Sequence, residues 1–292
     1  MISPVIFSIA IAAANPQTPQ VPPVSGNEAI VVTGTKETRK TVEQFVRSLT
    51  PTIWQGQISR FEHSVCPAVY GLAKPQAEAV TNRMRLVAKS VGIVVEGHHC
   101  GPNVLLIVTS DKRALLQELE RHRGEIFGGM PRSHVRDMER DSAPTAAWQL
   151  RGRPISASGM DLRWDAKLGA WMNYTTDAAS HITEGSRPQF DGAVVVIERK
   201  ALAGLTVTQL ADYAAIRALT GADPAKLGNS GAPTILHVLD VPMGGETPIT
   251  MTKWDLAFLK GFYDVHRNLR ANAQRSAITD NMIGTIQKPP GK

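Results

Sequence analysis

"FDGAVVVIERKALAGLTVTQLADYAAIRAL", residues 190–219, carries the clearest fold signal in the chain. Ala193 to Glu198 is a short, continuous apolar run rich in β-branched side chains, which reads as a buried strand. Thr206 with Gln209 three residues on has the spacing of a capping box. Leu205 and Leu210 flank it as a hydrophobic staple. Val207, Leu210, Ala211, Ala214 and Ala218 then recur at helical spacing, a narrow face of small residues, and Gly221 supplies the stop. A buried strand feeding a capped helix points to α/β packing.

The same alternation continues upstream. "KTVEQFVRSL" reads as a helix and "QISRFEHSVCPAVYGL" as extended chain. "KPQAEAVTNRMRLVAKSVG" is a helix with Pro75 in its first turn and Gly92 at its end. "NVLLIVT" is a buried strand, and Asp111 caps "KRALLQELERHRGEIF", whose inner side is marked by Leu115, Leu119 and Ile126. This order predicts a βαβ unit. Residues 129–192 read as the rim of a cleft: "GGMPRSH" as a loop, then short strands in "AWQLRGRPIS", "DLRW" and "AWMNYTT". Downstream, "GNSGAPTILHVL" reads as a turn into a short strand. "TKWDLAFLKGFYDVHRNL" and "ANAQRSAITDNMIGTI" read as helices.

The N-terminus, "MISPVIFSIAIAAANP", combines an apolar run with small residues before Asn15-Pro16. It reads as a secretory signal, residues 1–14, which places the mature protein in the periplasm or outside the cell. Residues 15–28 are a proline-rich linker. A single α/β domain then covers 29–292, with 29–128 and 129–292 as optional subdomains. No later segment is apolar enough over about 18 residues to span a bilayer, so no transmembrane segment is expected in the mature chain.

A formal charge of +6 favours anionic surroundings, either an envelope partner or an anionic ligand. The basic residues are interspersed with acids, and no aromatic-interleaved basic stripe occurs, so nucleic acid is not an expected partner. Cys66 and Cys100 in an exported chain predict one disulfide, tying the two ends of the βαβ crossover. The alternative is a zinc site, since His63 precedes Cys66 by three and His98-His99 abut Cys100.

Residues 190–265 resemble a family of exported bacterial proteins of unknown function. The resemblance is carried by "DGAVVVIERKALAGLTVTQLADYAAIRAL" and "PITMTKWDLAFLKGFYD". The second stretch is also similar to the ending of matrixin-type zincin metallopeptidases, with Thr250, Asp255, Leu259 and Tyr263 in the pattern. The resemblance implies a zincin-like C-terminal half whose metal helix is "TVTQLADYAAIRAL". A zinc helix needs histidines at i and i+4 and a glutamate to activate water. Here Gln209, Tyr213 and Leu210 stand in those places, so no metal ligand or catalytic residue is carried over.

No G-x-S-x-G elbow, P-loop or H-E-x-x-H occurs. The expected protein is therefore α/β, a mixed sheet with packed helices, and it binds a ligand or partner without catalysis or cofactor. The alternatives are a peptidase-like hydrolase with an unconventional site and a metal-binding protein built around Cys66 and Cys100. The polar residues of the 206–219 helix have two readings. In one, Gln209, Asp212 and Tyr213 line a cleft. In the other, Asp212 and Arg217 are solvated and Tyr213 packs at an edge.

Overall fold

The computed structural model describes residues 39–50, 56–176, 183–228, 231–241 and 245–287. The signal segment, the proline-rich linker and the first residues assigned to the domain lie outside the described residues. Helix α1 (Arg39–Leu49) is followed by strands β1 (Arg60–Phe61) and β2 (Pro67–Tyr70), helix α2 (Lys74–Ser90) and strand β3 (Val104–Thr109). Helix α3 (Lys112–His122), a 3-10 turn and helix α4 (Arg132–Arg140) lead to β4 (Thr145–Arg151). Short strands β5 (Ile155–Ser156), β6 (Arg163–Asp165), β7 (Ala170–Met172) and β8 (Ser186–Arg187) precede β9 (Gln189–Glu198). Helices α5 (Val207–Thr220), α6 (Lys253–Asp264) and α7 (Ala271–Ile286) follow.

The fold is mixed α/β, organised on β9. Strand β3 pairs parallel with residues 193–198 of β9, and β2 pairs parallel with β3. Strand β4 pairs antiparallel with residues 190–197. Since β4 occupies that edge, β1, which pairs parallel with Gln189 and Phe190, lies ahead of β3 on the other. Strands from both halves of the sequence therefore share one sheet. Successive side chains of β9 serve opposite faces. Ala193, Val195 and Ile197 join the large core under α1, α2, α5, α6 and α7, while Val194 and Val196 join a smaller core under α3 and α4. Burial on both faces is why this strand reads as an unbroken apolar run.

Several elements differ from the sequence reading. Helix α5 is not buried along one narrow face: every residue from Gln209 to Thr220 is buried. It lies between the sheet and helices α2 and α6, and its alanines permit that approach from every side. Helix α3 stops at His122, and its fully buried anchor is Leu116, with Leu115, Leu119 and Ile126 packed at the margin of that core. "GGMPRSH" is partly helical, since Pro131 starts α4. Residues 235–237 form a 3-10 turn rather than a strand, because Thr234 caps Leu236 and Asp255 takes the Ile235 N–H.

Cys66 and Cys100 form a disulfide, with Cα atoms 6.1 Å apart. It does not join the ends of a crossover. Cys66 directly precedes β2 and Cys100 lies just ahead of β3, so the bond clamps the starts of two adjacent parallel strands. Asn103 reinforces the clamp, accepting from the Cys66 N–H (2.7 Å) and donating to the Ser64 carbonyl (3.1 Å). With both sulfurs in the bond, the two-Cys, two-His zinc arrangement loses its thiolates. Among the described residues no group of three or more His, Cys, Asp or Glu is placed to hold a metal, and no helix is long and apolar enough to cross a membrane.

Candidate functional site

The C-terminal half of α5 and the facing strand β4 enclose a cavity of about 360 Å³. Strand β4 sets its wall through its register. Glu198 donates its N–H to the Pro144 carbonyl (2.8 Å). Hydrogen-bonded pairs alternate in an antiparallel ladder. Ala146, Trp148 and Leu150 therefore turn their backbone groups to β9, and Thr145, Ala147 and Gln149 turn theirs away. Their side chains point to the α5 side, opposite Ala146 and Trp148 in the smaller core.

Helix α5 supplies the chemistry. Long helical side chains lean toward the N-terminus, so Arg217 reaches back one turn to Tyr213. Its Nη1 donates to the Tyr213 hydroxyl (2.7 Å) and to Thr145 Oγ1 (3.3 Å), and the guanidinium carbon stands 5.7 Å from the Tyr213 ring centroid. Arg217 is 7 % exposed, its Nε has no hydrogen-bond partner, and no carboxylate pairs with it among the described residues. A buried guanidinium facing neutral hydroxyls is costly, and buried cations are normally paired. This one lines a cavity instead.

Gln149 closes the corner by donating to the Arg217 carbonyl (2.9 Å) at the C-terminal end of α5. Gly221 ends the helix with φ 70°, and a Cβ there would stand 2.8 Å from Gln149 Oε1. The rim carries Lys226 and three aspartates, Asp141, Asp223 and Asp240. The aspartates are exposed or half-exposed and locally engaged: Asp141 with the Ala143 N–H, Asp223 with the Ala225 N–H, Asp240 with His237. A second cavity of similar size continues along β4. It shares Ala147, Gln149 and Lys226 with the first and extends to His134, Arg151 and the Gly128-Gly129 turn.

Of the residues singled out from sequence, Tyr213 lines the cavity, while Gln209 and Asp212 do not. Gln209 completes the Thr206 capping box, its Oε1 accepting from the Thr206 N–H (2.9 Å), and it donates to the Pro248 carbonyl (2.8 Å). Asp212, fully buried, accepts from Arg83 Nε (2.7 Å) and Nη2 (3.0 Å), Thr250 Oγ1 (2.7 Å) and the Met251 N–H (2.9 Å). These hydrogen bonds hold the Arg83 guanidinium above its ordinary value. The reading of Asp212 and Arg217 as solvated is thus overturned, because α5 has no solvent face. Arg217, Thr145 and Gln149 were missed as site residues. The signal for Arg217 was present: from Leu210 to Leu219 the helix is apolar except at Asp212, Tyr213 and Arg217, so a polar residue there is enclosed.

No family model, curated protein or solved structure matches this chain. The likeness to a matrixin ending therefore rests on the sequence pattern alone.

Proposed function

We propose that this is an exported, non-catalytic binding protein whose ligand is a small anionic group held by Arg217. The observation that carries the reading is a buried guanidinium that has no carboxylate partner among the described residues and lines a cavity. Tyr213 and Thr145 hold the arginine in place. An incoming carboxylate or phosphate would give the guanidinium the ionic partner it lacks among the described residues, in a low-dielectric setting where charge-assisted hydrogen bonds are strongest. The cavity is within the usual size range for a small-ligand site. No histidine or cysteine lines it among the described residues, so its chemistry suits holding an anion more than turning one over. The disulfide and the N-terminal apolar run support export to an oxidising compartment. In the matrixin comparison, Gln209 and Tyr213 occupy ligand positions but serve a cap and a cavity wall.

The test is calorimetric titration of the oxidised protein with N-acetyl-alanine, acetate and inorganic phosphate, alongside Arg217→Met. Binding by the wild type and its loss in the variant is the expected result. Equal heats from both proteins, or none from either, would remove the proposal.

A further inference from the structure

We infer that the anion is the C-terminal carboxylate of an extended peptide, which adds as an antiparallel strand to the free edge of β4. This rests on the reading of Arg217 as the anion anchor. The independent observation is the edge itself. Among the described residues no strand pairs with β4 on the side away from β9, and no hydrogen bond satisfies the outward backbone groups of Thr145, Ala147 and Gln149. An open edge of alternating N–H and C=O groups is a template for one more strand, and natural proteins usually blunt or cover it. Here both cavities run along it. The three outward residues span about 13 Å at the rise of a strand, room for roughly five peptide residues.

Arg217 fixes the direction. Its guanidinium lies at the Thr145 end, while the groove continues past Gln149 toward Arg151 and His134. A peptide with its terminus on Arg217 therefore runs opposite to β4. Beyond Thr145 the ladder keeps only the Glu198 N–H to Pro144 carbonyl bond, and Lys112 Nζ grips the Asp141 and Ala143 carbonyls (2.8 and 2.7 Å). A chain terminus fits that stop better than a continuing chain.

The test is hydrogen–deuterium exchange of the full oxidised protein, read by mass spectrometry over residues 143–151. The probes are a pool of hexapeptides built from Ala, Val, Thr and Lys with a free C-terminus, the same pool amidated, and the same pool N-methylated at alternate residues. N-acetyl-alanine is the anion control. The expected result is at least fivefold slower exchange over 143–151 with the free-acid pool alone, lost in Arg217→Met. If N-acetyl-alanine binds and the free-acid pool leaves 143–151 unprotected, strand addition is wrong while the anion reading stands. If N-acetyl-alanine and the pool both fail to bind, both readings fall. Equal protection by the amidated pool would overturn the assignment of the carboxylate to Arg217.

Discussion

Arg217 and Asp212 lie five residues apart in one buried helix and make opposite predictions. Asp212 is a paired carboxylate with four donors, and removing it strands Arg83 and the Met251 N–H. Asp212→Ala should cost about 1–3 kcal/mol, chiefly for the stranded Met251 N–H since Arg83 is 36 % exposed, read as a lowered urea midpoint. Among the described residues Arg217 has no ionic partner, and replacing it with methionine relieves a buried charge. Arg217→Met should leave the urea midpoint unchanged or raised while abolishing ligand binding. A loss of stability beyond about 2 kcal/mol would mark Arg217 as a packing residue instead. Sequence alone cannot separate the two, since both read as polar positions on an amphipathic helix. What separates them is whether a distant residue, Arg83 in α2, arrives to meet the charge.

At the scale of elements, local chemistry was legible and mutual placement was not. The capping box of α5 and the Asp111 cap follow from residues three apart, and the structure contains them; it adds a Thr252–Asp255 box at α6 that the sequence reading does not include. The turn at 235–237 differs from the sequence reading because it depends on Asp255, 20 residues on, whereas the start of α4 at Pro131 is a local signal that the loop reading passes over. Gly221 shows how an element end also shapes the site. Gly221→Ala should cost about 1–2 kcal/mol for the left-handed backbone, and the added Cβ displaces Gln149, so ligand affinity should fall with stability. Thermal denaturation and the titration above measure both. At the start of α6, burial holds the Asp255 carboxyl above the ordinary carboxylate range, opposed by hydrogen bonds from Thr234, Ile235 and Thr252. A raised folded value means that the folded state binds this proton more tightly than the unfolded one. The contribution to stability is full below the unfolded value and is lost as pH rises through the folded one. Asp255→Asn should flatten that part of the stability–pH curve, measured as urea midpoints from acid to neutral pH.

For the whole molecule, the disulfide is legible from the even cysteine count and the expected export, whereas its position at the strand starts requires the sheet. Cys66→Ser with Cys100→Ser removes a link across 34 residues and should cost about 3–4 kcal/mol by the chain-entropy argument. An unchanged guanidinium midpoint would mean that the parallel pairing of β2 and β3 holds without it. The order of strands carries one more consequence. Strand β9 joins β3 to β4, yet it is the last of the three to be made, after roughly two thirds of the chain has left the ribosome. Before then β3 lacks its main neighbour and β4 has none. A chain ending at Arg187 should show no near-ultraviolet circular dichroism of packed aromatics. The nascent chain thus carries a core that stays open until its keystone strand emerges.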